Sequence, residues 1–595
     1  MVENEQLILY LITEMSHEDK TVRDPIHGDI LWNHLETRVI DTEAFQRLRR
    51  IKQLGTAHFV FPGAEHSRFQ HSLGTLHMTQ VLLQNITNNR FSQYQTFGKT
   101  GIQDLTFRLV VRLAALLHDV LEFPLSHTLE KEGNIFSKQW KIRTLNIKML
   151  GKGSEIFSAV CNYIFELLGP TDSDRVLRGL PQLKVEDKKS LADKLAKTII
   201  VFTYRLIVGG KRKVSELAKE LFGDTDIIEG IIDEKFLFAG NQIILNTVCA
   251  DLLDYLPRDF YFCGIKKTYD ERFLKYATIN DCLDKKSRKP CPVFTYRLIG
   301  KRKELRHSVL SSLFDVLELR YTLAEVVHTH RTKNAFSAMA TEAFNYYYQS
   351  LDEATRQKLV NKMMQIGDDE LLSYVKEQNP TSEYILNYYF KRRIYRECIL
   401  WNYSEENAEL DKALSGHIKN PKERLYLERL LVRSLNSTLS ISEQLKDGDC
   451  LIYMMPDPGR LFKELKTNVI YLDENEKTKV NTLLSLTKTR KMYSPMPRNI
   501  RVVIERTKLQ RSLLIRKFKS LWHTSLFISP NLNYLSIQPM IASMIENLFD
   551  VIGYKLPVEA PKILLNKDLH EKVLVLTKDK RGFATFEEIF KNYEW

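Results

Sequence analysis

Leu109-Val110-Val111-Arg112-Leu113-Ala114-Ala115-Leu116-Leu117-His118-Asp119-Val120 is an apolar run at helical spacing that ends in an adjacent histidine and aspartate. Burying such a pair without partners costs several kcal/mol. A divalent cation removes that cost, because neutral imidazole and carboxylate are both good ligands for a borderline first-row ion. A lone His-Asp dipeptide is more often a histidine satisfied by a backbone carbonyl beside a surface aspartate. Two other stretches shift that balance: Glu65-His66-Ser67-Arg68-Phe69-Gln70-His71-Ser72 upstream, and Asp251 to Asp259 downstream. In the second, Asp251, Asp254, Tyr255, Arg258 and Asp259 recur at i, i+3, i+4, i+7 and i+8, which places them on one helical face. Three carboxylates, an arginine and a tyrosine among apolar flanks make a poor core and a good site lining; the alternative is a surface salt-bridge cluster. Pro257 removes a donor there and is expected to kink the helix.

Length and composition bound the rest. At 595 residues the chain exceeds one hydrophobic core, so two or three lobes are expected. With 44% hydrophobic and 27% charged residues it reads as globular, not disordered. A formal net charge of +13 suits an anionic ligand such as a nucleotide, polyphosphate or nucleic acid, without choosing among them. Seven cysteines, with no C-x-x-C pair, argue against a disulfide framework or zinc ribbon and fit a reducing cytoplasmic setting. No run of about 18 apolar residues is present, so no membrane span is expected.

The expected fold class is mainly α, with short β-hairpins and a smaller C-terminal α+β region. Residues 1–20 read as an N-terminal helix and charged turn, 21–400 as the helical core, 401–445 as a helical linker and 446–595 as the basic α+β region. Val22 to Ile30, centred on Asp24-Pro25-Ile26-His27-Gly28, predicts strand–turn–strand. Asp41 to Ile51 predicts a helix capped by Asp41 or Thr42, and Phe59 to Gly63 a short extended piece. Residues 71–92, 105–121, most of 138–232 and 304–400 are helical by spacing, with a break at Phe123-Pro124-Leu125-Ser126-His127. Val201-Phe-Thr-Tyr-Arg-Leu-Ile207 recurs as Val293-Phe-Thr-Tyr-Arg-Leu-Ile299, each followed by glycine and a Lys-Arg-Lys run; both copies, within 201–213 and 293–303, read as basic β-hairpins. Strands are expected at 450–454, 468–472 and 500–504. Residues 488–519 are rich in lysine and arginine, interleaved with Tyr493, Leu513 and Phe518. A solvated helix face is the commoner explanation; phosphate or nucleic-acid contact is the sharper one.

The order His71, His118-Asp119, Asp251 resembles the ligand pattern of the HD-domain phosphohydrolases. Asp24 to Gly28, Phe45 to Arg49, Lys52 to Gly55, Phe61 to Ala64, Arg68 to Gly74, Asp254-Tyr255 with Arg258-Asp259, and Arg320-Tyr321 with His330-Arg331 extend the resemblance. It is greatest to the deoxynucleoside-triphosphate triphosphohydrolases, strong over about residues 20–345 and loose beyond. The resemblance implies an HD-domain core in which His71, His118, Asp119 and Asp251 bind one divalent ion (manganese, iron, zinc or magnesium). Such an ion polarises a phosphoryl oxygen and lowers the pKa of bound water. It also implies hydrolysis of a dNTP to deoxynucleoside and inorganic triphosphate. His127, suited to general acid work near neutrality, would share the catalytic centre with Glu122 and Asp251. Arg68 and Arg320 would hold the triphosphate. Gln53, Leu54 and Asp259 would meet the sugar, and Tyr255 would fill the space of a ribose 2′-hydroxyl. Asp41, Gln46 and Arg49 match an allosteric nucleotide site, although Asp41 serves equally as a cap and the other two as helix-surface groups. A homo-oligomer, dimer or tetramer, and a role in antiviral dNTP depletion follow from the same resemblance.

The chain departs from the family pattern at four places, one of them Phe136-Ser137-Lys138-Gln139-Trp140, which lacks the histidine of a Thr-His-Glu motif that relatives carry. Val120-Leu121-Glu122 stands where relatives have Leu-Gly-His, Leu252 where they have a phosphate-binding lysine, and His328 where they have a sugar-stacking tyrosine. Two other readings therefore stay open: a phosphodiesterase or nuclease using the same metal on nucleic acid, and a catalytically altered nucleotide sensor.

Overall fold

The computed structural model describes residues 2–136, 148–169, 183–210, 212–283, 290–300, 302, 304–402, 418–437, 439–440, 444–454, 468–472, 478–482, 498–520 and 523–532. The chain is mainly helical. Three helices carry the site, and two of them have a capping reason to start where they do. The His-Asp helix, Gly101–Leu117, begins at Thr100, whose hydroxyl accepts from Gln103 N, with Asp104 in its first turn; both features favour a helix N-terminus. Leu109, Val110, Val111 and Leu113 to Leu117 are all buried, which is the apolar drive that seats His118 at the helix end. The His71 helix, Arg68–Asn88, begins where Gln70 Oε1 accepts from Ser67 N at 2.8 Å. The aspartate helix, Ala250–Phe262, packs against it. A Cβ on Gly74 would lie 1.8 Å from Asp254 Oδ1, so glycine is what permits this close approach.

The aspartate helix runs through Pro257 without a break. The carbonyl that the proline leaves without a helical donor, Leu253 O, accepts from Tyr269 Oη at 2.6 Å, so the lost bond is replaced from outside the helix.

Sheets are small. β1 (Glu18–Asp24) and β2 (Gly28–Asn33) form the expected hairpin, with Val22 opposite Ile30. β3 (Ala277–Leu283), β4 (Pro290–Arg297), β7 (Asn468–Leu472) and β8 (Thr478–Thr482) form a four-stranded sheet in that order, β4 and β7 parallel. β5 (Arg396–Asn402), β9 (His523–Ile528) and β6 (Cys450–Met454) form a third, antiparallel sheet.

Several local expectations are corrected. The repeated heptapeptide does not form two hairpins: Val201 to Ile207 lies inside the helix Val185–Val208, whereas Val293 to Arg297 is in β4. Residues 500–504 belong to the helix Arg498–Ser520, not to a strand. Residues 396–402 are a strand, not helix. Gly55–Phe59 is a 3₁₀ turn where Phe59 was expected to begin an extended piece. Thr42, not Asp41, caps Glu43–Gln46 and accepts from Phe45 N; Asp41 closes the preceding helix, His34–Ile40.

Candidate metal centre and cleft

Three helices bring four ligand groups to one point. His118 Nε2 lies 3.3 Å from His71 Nε2. Asp251 Oδ1 is 3.3 Å from His71 Nε2 and 4.0 Å from His118 Nε2. Asp119 Oδ2 is 3.6 Å from His71 Nε2 and 3.5 Å from His118 Nε2. Bonds of about 2.1 Å to one ion put neighbouring ligands about 3–3.5 Å apart, so the set fits a divalent ion without rearrangement of the backbone. Ligand atoms of His71, His118 and Asp251 all lie within 4.8 Å of one another. Asp119 also accepts from Arg68 Nη1 at 2.6 Å.

Each imidazole presents Nε2 inward because Nδ1 is taken. His118 Nδ1 pairs with Ala115 O at 2.7 Å, which also satisfies a carbonyl at the helix end. His71 Nδ1 pairs with Asp254 Oδ2 at 2.8 Å. Such partners fix tautomer and ring orientation in metal sites. Asp254 is fully buried and is the hub of a wider network. It pairs with His27 Nε2 at 2.7 Å and accepts from Arg258 Nη2 at 2.8 Å, while Arg258 Nη1 donates to Asp24 Oδ2 at 2.8 Å. Burial works against the ionised form, but Arg258, His27 and His71 together hold the Asp254 carboxyl well below the usual range. Desolvation likewise opposes charge on His71, yet Asp251 and Asp254 raise it to about 10. The pocket therefore draws positive charge, as a cation site must. The spacing of the aspartate helix singled out Asp254 and Arg258 but not their supporting role. His27, quoted only as part of a motif, is the partner that sequence reasoning missed.

Several of the proposed substrate residues lie beside this centre. Tyr255 stands with its ring centroid 6.4 Å from that of His71; burial raises its phenol pKa, with Arg320 opposing. Asp259 pairs with His66 Nε2 at 2.8 Å. Arg68 is buried, and beyond Asp119 it donates to Ser126 Oγ at 3.1 Å. Among the described residues, Gln53 Oε1 and Arg320 Nη1 are buried without hydrogen-bond partners. Leu54 precedes the 3₁₀ turn at Gly55 and is half-buried. Leu252 is fully buried in the core, so this helix sends no side chain from that position into the cleft. His328 is lowered to about 3 by burial and by the positive charges of Lys333, Arg320 and Lys131.

His127 sits on a tightly constrained turn. Leu125 and Ser126 have φ of 66° and 51°, a left-handed conformation that costs non-glycine residues free energy. Asp368 Oδ1 accepts from Leu125 N at 2.6 Å, Asp368 Oδ2 from Lys52 N at 2.9 Å, and Ser126 Oγ donates to Lys52 O. Arg47, fully buried, donates to Val120 O and Glu122 O at 2.9 Å each. It thereby holds the segment between the metal centre and His127, a role that its Phe45 to Arg49 motif does not reveal. Glu122 Oε2 lies 4.0 Å from His127 Nδ1, so the glutamate faces the histidine rather than the four ligands. Glu122, His127 and Glu130 form a second group whose ligand atoms lie within 4.8 Å of one another.

Asp41, Gln46 and Arg49 share one edge of the molecule. Gln46 Nε2 donates to Ile40 O at 2.8 Å, Arg49 Nε donates to Gln46 Oε1 at 2.7 Å, and Asp41 pairs with Lys20 at 3.7 Å. A cavity of about 730 Å³ adjoins Gln46, with Arg50, Lys148, Glu155 and Gln365 in its wall. Neither Asp41 nor Arg49 lines it. Of the basic segment 488–519, residues 488–497, with Tyr493, lie outside the described residues, as does the side chain of Phe518. The rest is the helix Arg498–Ser520, which leaves Leu509 and Leu513 exposed.

The HD domain family matches residues 68–198, the span that holds His71 and the His118-Asp119 pair. The chain carries an HD domain. Beyond it, the chain is 25% identical to the deoxynucleoside triphosphate triphosphohydrolase SAMHD1 of Gallus gallus over 76% of its length and 69% of that protein. It is 29% identical to the Bos taurus protein of the same name over 55% of its length and 47% of that protein. It is 26% identical to the Dictyostelium discoideum homolog over 61% of its length and 56% of that protein. The chain thus spans about half the length of most of these relatives. No helix among the described residues is long and apolar enough to cross a membrane.

Proposed function

We propose that this HD-domain hydrolase cleaves deoxynucleoside triphosphates to the deoxynucleoside and inorganic triphosphate. The observation that carries the reading is the convergence of His71, His118, Asp119 and Asp251 on one point, together with Gln53 Oε1 and Arg320 Nη1, which are buried without partners. Buried polar atoms left unpaired cost free energy, and a sugar hydroxyl and a phosphate oxygen are the groups that would satisfy them. The named activity of the relatives is the same reaction class. His71, His118, Asp119 and Asp251 would hold a divalent ion, which supplies charge stabilisation at a phosphoryl oxygen. Arg68 and Arg320 bind triphosphate oxygens, His127 serves as proton donor to the leaving oxygen, and Tyr255 excludes a ribose. The edge at Asp41, Gln46 and Arg49 takes a regulatory nucleotide in a homo-oligomer, a nucleotide there competing with Arg49 for Gln46 Oε1. Depletion of dNTPs in antiviral defence is the cellular role that suits this chemistry.

The test is incubation of the manganese-loaded chain with each dNTP, with GTP and with single-stranded DNA, products resolved by chromatography. The expected products are deoxynucleoside and tripolyphosphate, with little turnover of GTP. Pyrophosphate release, or cleavage of DNA alone, would sink the reading; the DNA arm is included because the Arg498–Ser520 helix is basic. Repeating the assay with a second nucleotide added, alongside light scattering, tests regulation: activation with assembly is expected, and an unchanged monomer excludes it.

A further inference from the structure

We propose that Lys131 is a phosphate-binding residue of this cleft, an inference that rests on the cleft's reading as a phosphate-ester hydrolase site. Lys131 lies in a π-turn, Thr128–Glu132, closed by Gly133 N donating to Thr128 O at 2.7 Å. The extra residue of a π-turn re-aims the side chains that follow it. Here it brings Lys131 Nζ to 2.7 Å from His127 Nε2. Arg68 Nη2 approaches the same nitrogen at 3.4 Å. An imidazole nitrogen has one lone pair at most, so two cationic donors meet at a point where only one can be satisfied. An anionic oxygen seated between them would accept from both.

The other cations near the cleft are largely committed. Arg258, the one arginine of the aspartate helix, is held by Asp24 and Asp254. Arg68 gives Nη1 to Asp119 and keeps Nη2 toward His127, and Lys333 is paired with Glu132. Leu252 contributes no charge because it is buried in the core. Among the described residues that leaves Lys131, which is exposed, and Arg320, with its unpartnered Nη1, alongside Arg68 Nη2, as the cations available to a polyanion. Both bear on His328 from the same surroundings. Lys131 is on a different element from every residue that spacing picked out, which is why a reading of the sequence passes over it.

The experiment uses the full chain loaded with manganese and compares wild type with Lys131→Ala and Lys131→Arg. Three quantities are read: binding of inorganic tripolyphosphate by titration calorimetry, KM and kcat for dGTP, and bound metal by elemental analysis. Loss of one charge-assisted contact predicts tripolyphosphate binding weakened by about ten- to a hundredfold in Lys131→Ala. KM rises in parallel and metal content is unchanged. Lys131→Arg, which keeps the charge, should stay within about fivefold of wild type. A Lys131→Ala variant that binds tripolyphosphate within about twofold of wild type overturns the assignment, as does a wild type that does not bind tripolyphosphate at all. The two readings separate cleanly. Lys131-dependent tripolyphosphate binding without turnover of any dNTP removes the proposed activity and keeps Lys131. Turnover with a KM indifferent to Lys131 does the reverse.

Discussion

Asp251 and Asp254 are one helical turn apart and do different work. Asp251 faces the ligand cluster and is partly exposed, whereas Asp254 is fully enclosed by His27, His71 and Arg258. Asp251→Ala should therefore abolish tightly bound metal and hydrolysis while moving the melting temperature little. Asp254→Ala leaves Arg258 buried with only Asp24 and frees the Nδ1 of His71. Breaking a buried charge network in this way costs on the order of 3–5 kcal/mol, so that variant should unfold early as well as lose metal. Elemental analysis beside thermal melts checks both. Equal stability of the two variants would show that Asp254 is not the hub the distances describe.

At the scale of the element, the turn Leu125–Ser126 is held from outside by Asp368, at the start of the helix Asp368–Gln378. Burial, only partly offset by the two backbone donors, raises the Asp368 carboxyl from 3.8 to about 6. A folded-state pKa above the unfolded one means that the folded chain holds this proton more tightly. The associated stability is thus fully present below about pH 4 and is lost as pH rises through about 6. Two pH units correspond to about 3 kcal/mol. Asp368→Asn cannot ionise but gives up one acceptor, so it should be less stable than wild type at pH 4, with a gap that narrows by up to about 3 kcal/mol at pH 7. Urea unfolding at the two pH values reads this directly, and a pH-independent gap refutes it. Elements also show where the sequence is legible. The apolar run before His118, the i, i+3, i+8 carboxylates of the aspartate helix and the Pro25-Gly28 turn report local geometry, and all lie where expected. The repeated heptapeptide does not, because its own residues are compatible with either state. Its second copy follows Pro290 and Pro292, which cannot donate and which bias their neighbours toward extended backbone; its first copy continues a helical pattern from Val185. The flanks held the answer. Arg47 and His27 were illegible for another reason: their roles arise from contacts with residues more than seventy positions away, and no local period encodes these.

Across the whole molecule, the C-terminal elements are built into the core. β4 runs parallel to β7, β5 and β6 flank β9, and Tyr384 Oη donates to Asp449 Oδ1 at 2.6 Å. The deepest link is Arg424, in the helix Pro421–Asn436. It is 3% exposed and donates to Glu342 Oε1 at 2.6 Å, to Ile418 O at 2.9 Å and to Gly133 O at 3.0 Å. Gly133 closes the π-turn that carries Lys131, and Lys333 holds Glu132 of the same turn. A C-terminal helix thus braces the segment that presents His127 and Lys131 to the cleft. Glu342 is 1% exposed, and burial raises its pKa against the pull of Arg424. Arg424→Met would strand that carboxylate, at a cost on the order of 3–5 kcal/mol, and leave Gly133 O without its donor. Arg424→Met with Glu342→Leu removes both charges and should recover most of the lost stability, since well-packed apolar pairs often replace buried ion pairs at little cost. It should not recover the brace on Gly133 O. The expected outcome is a double variant that melts near wild type yet retains a reduced kcat with normal metal content. If it regains full turnover together with stability, Arg424 acts on the fold alone and the catalytic turn needs no support from the C-terminal helix.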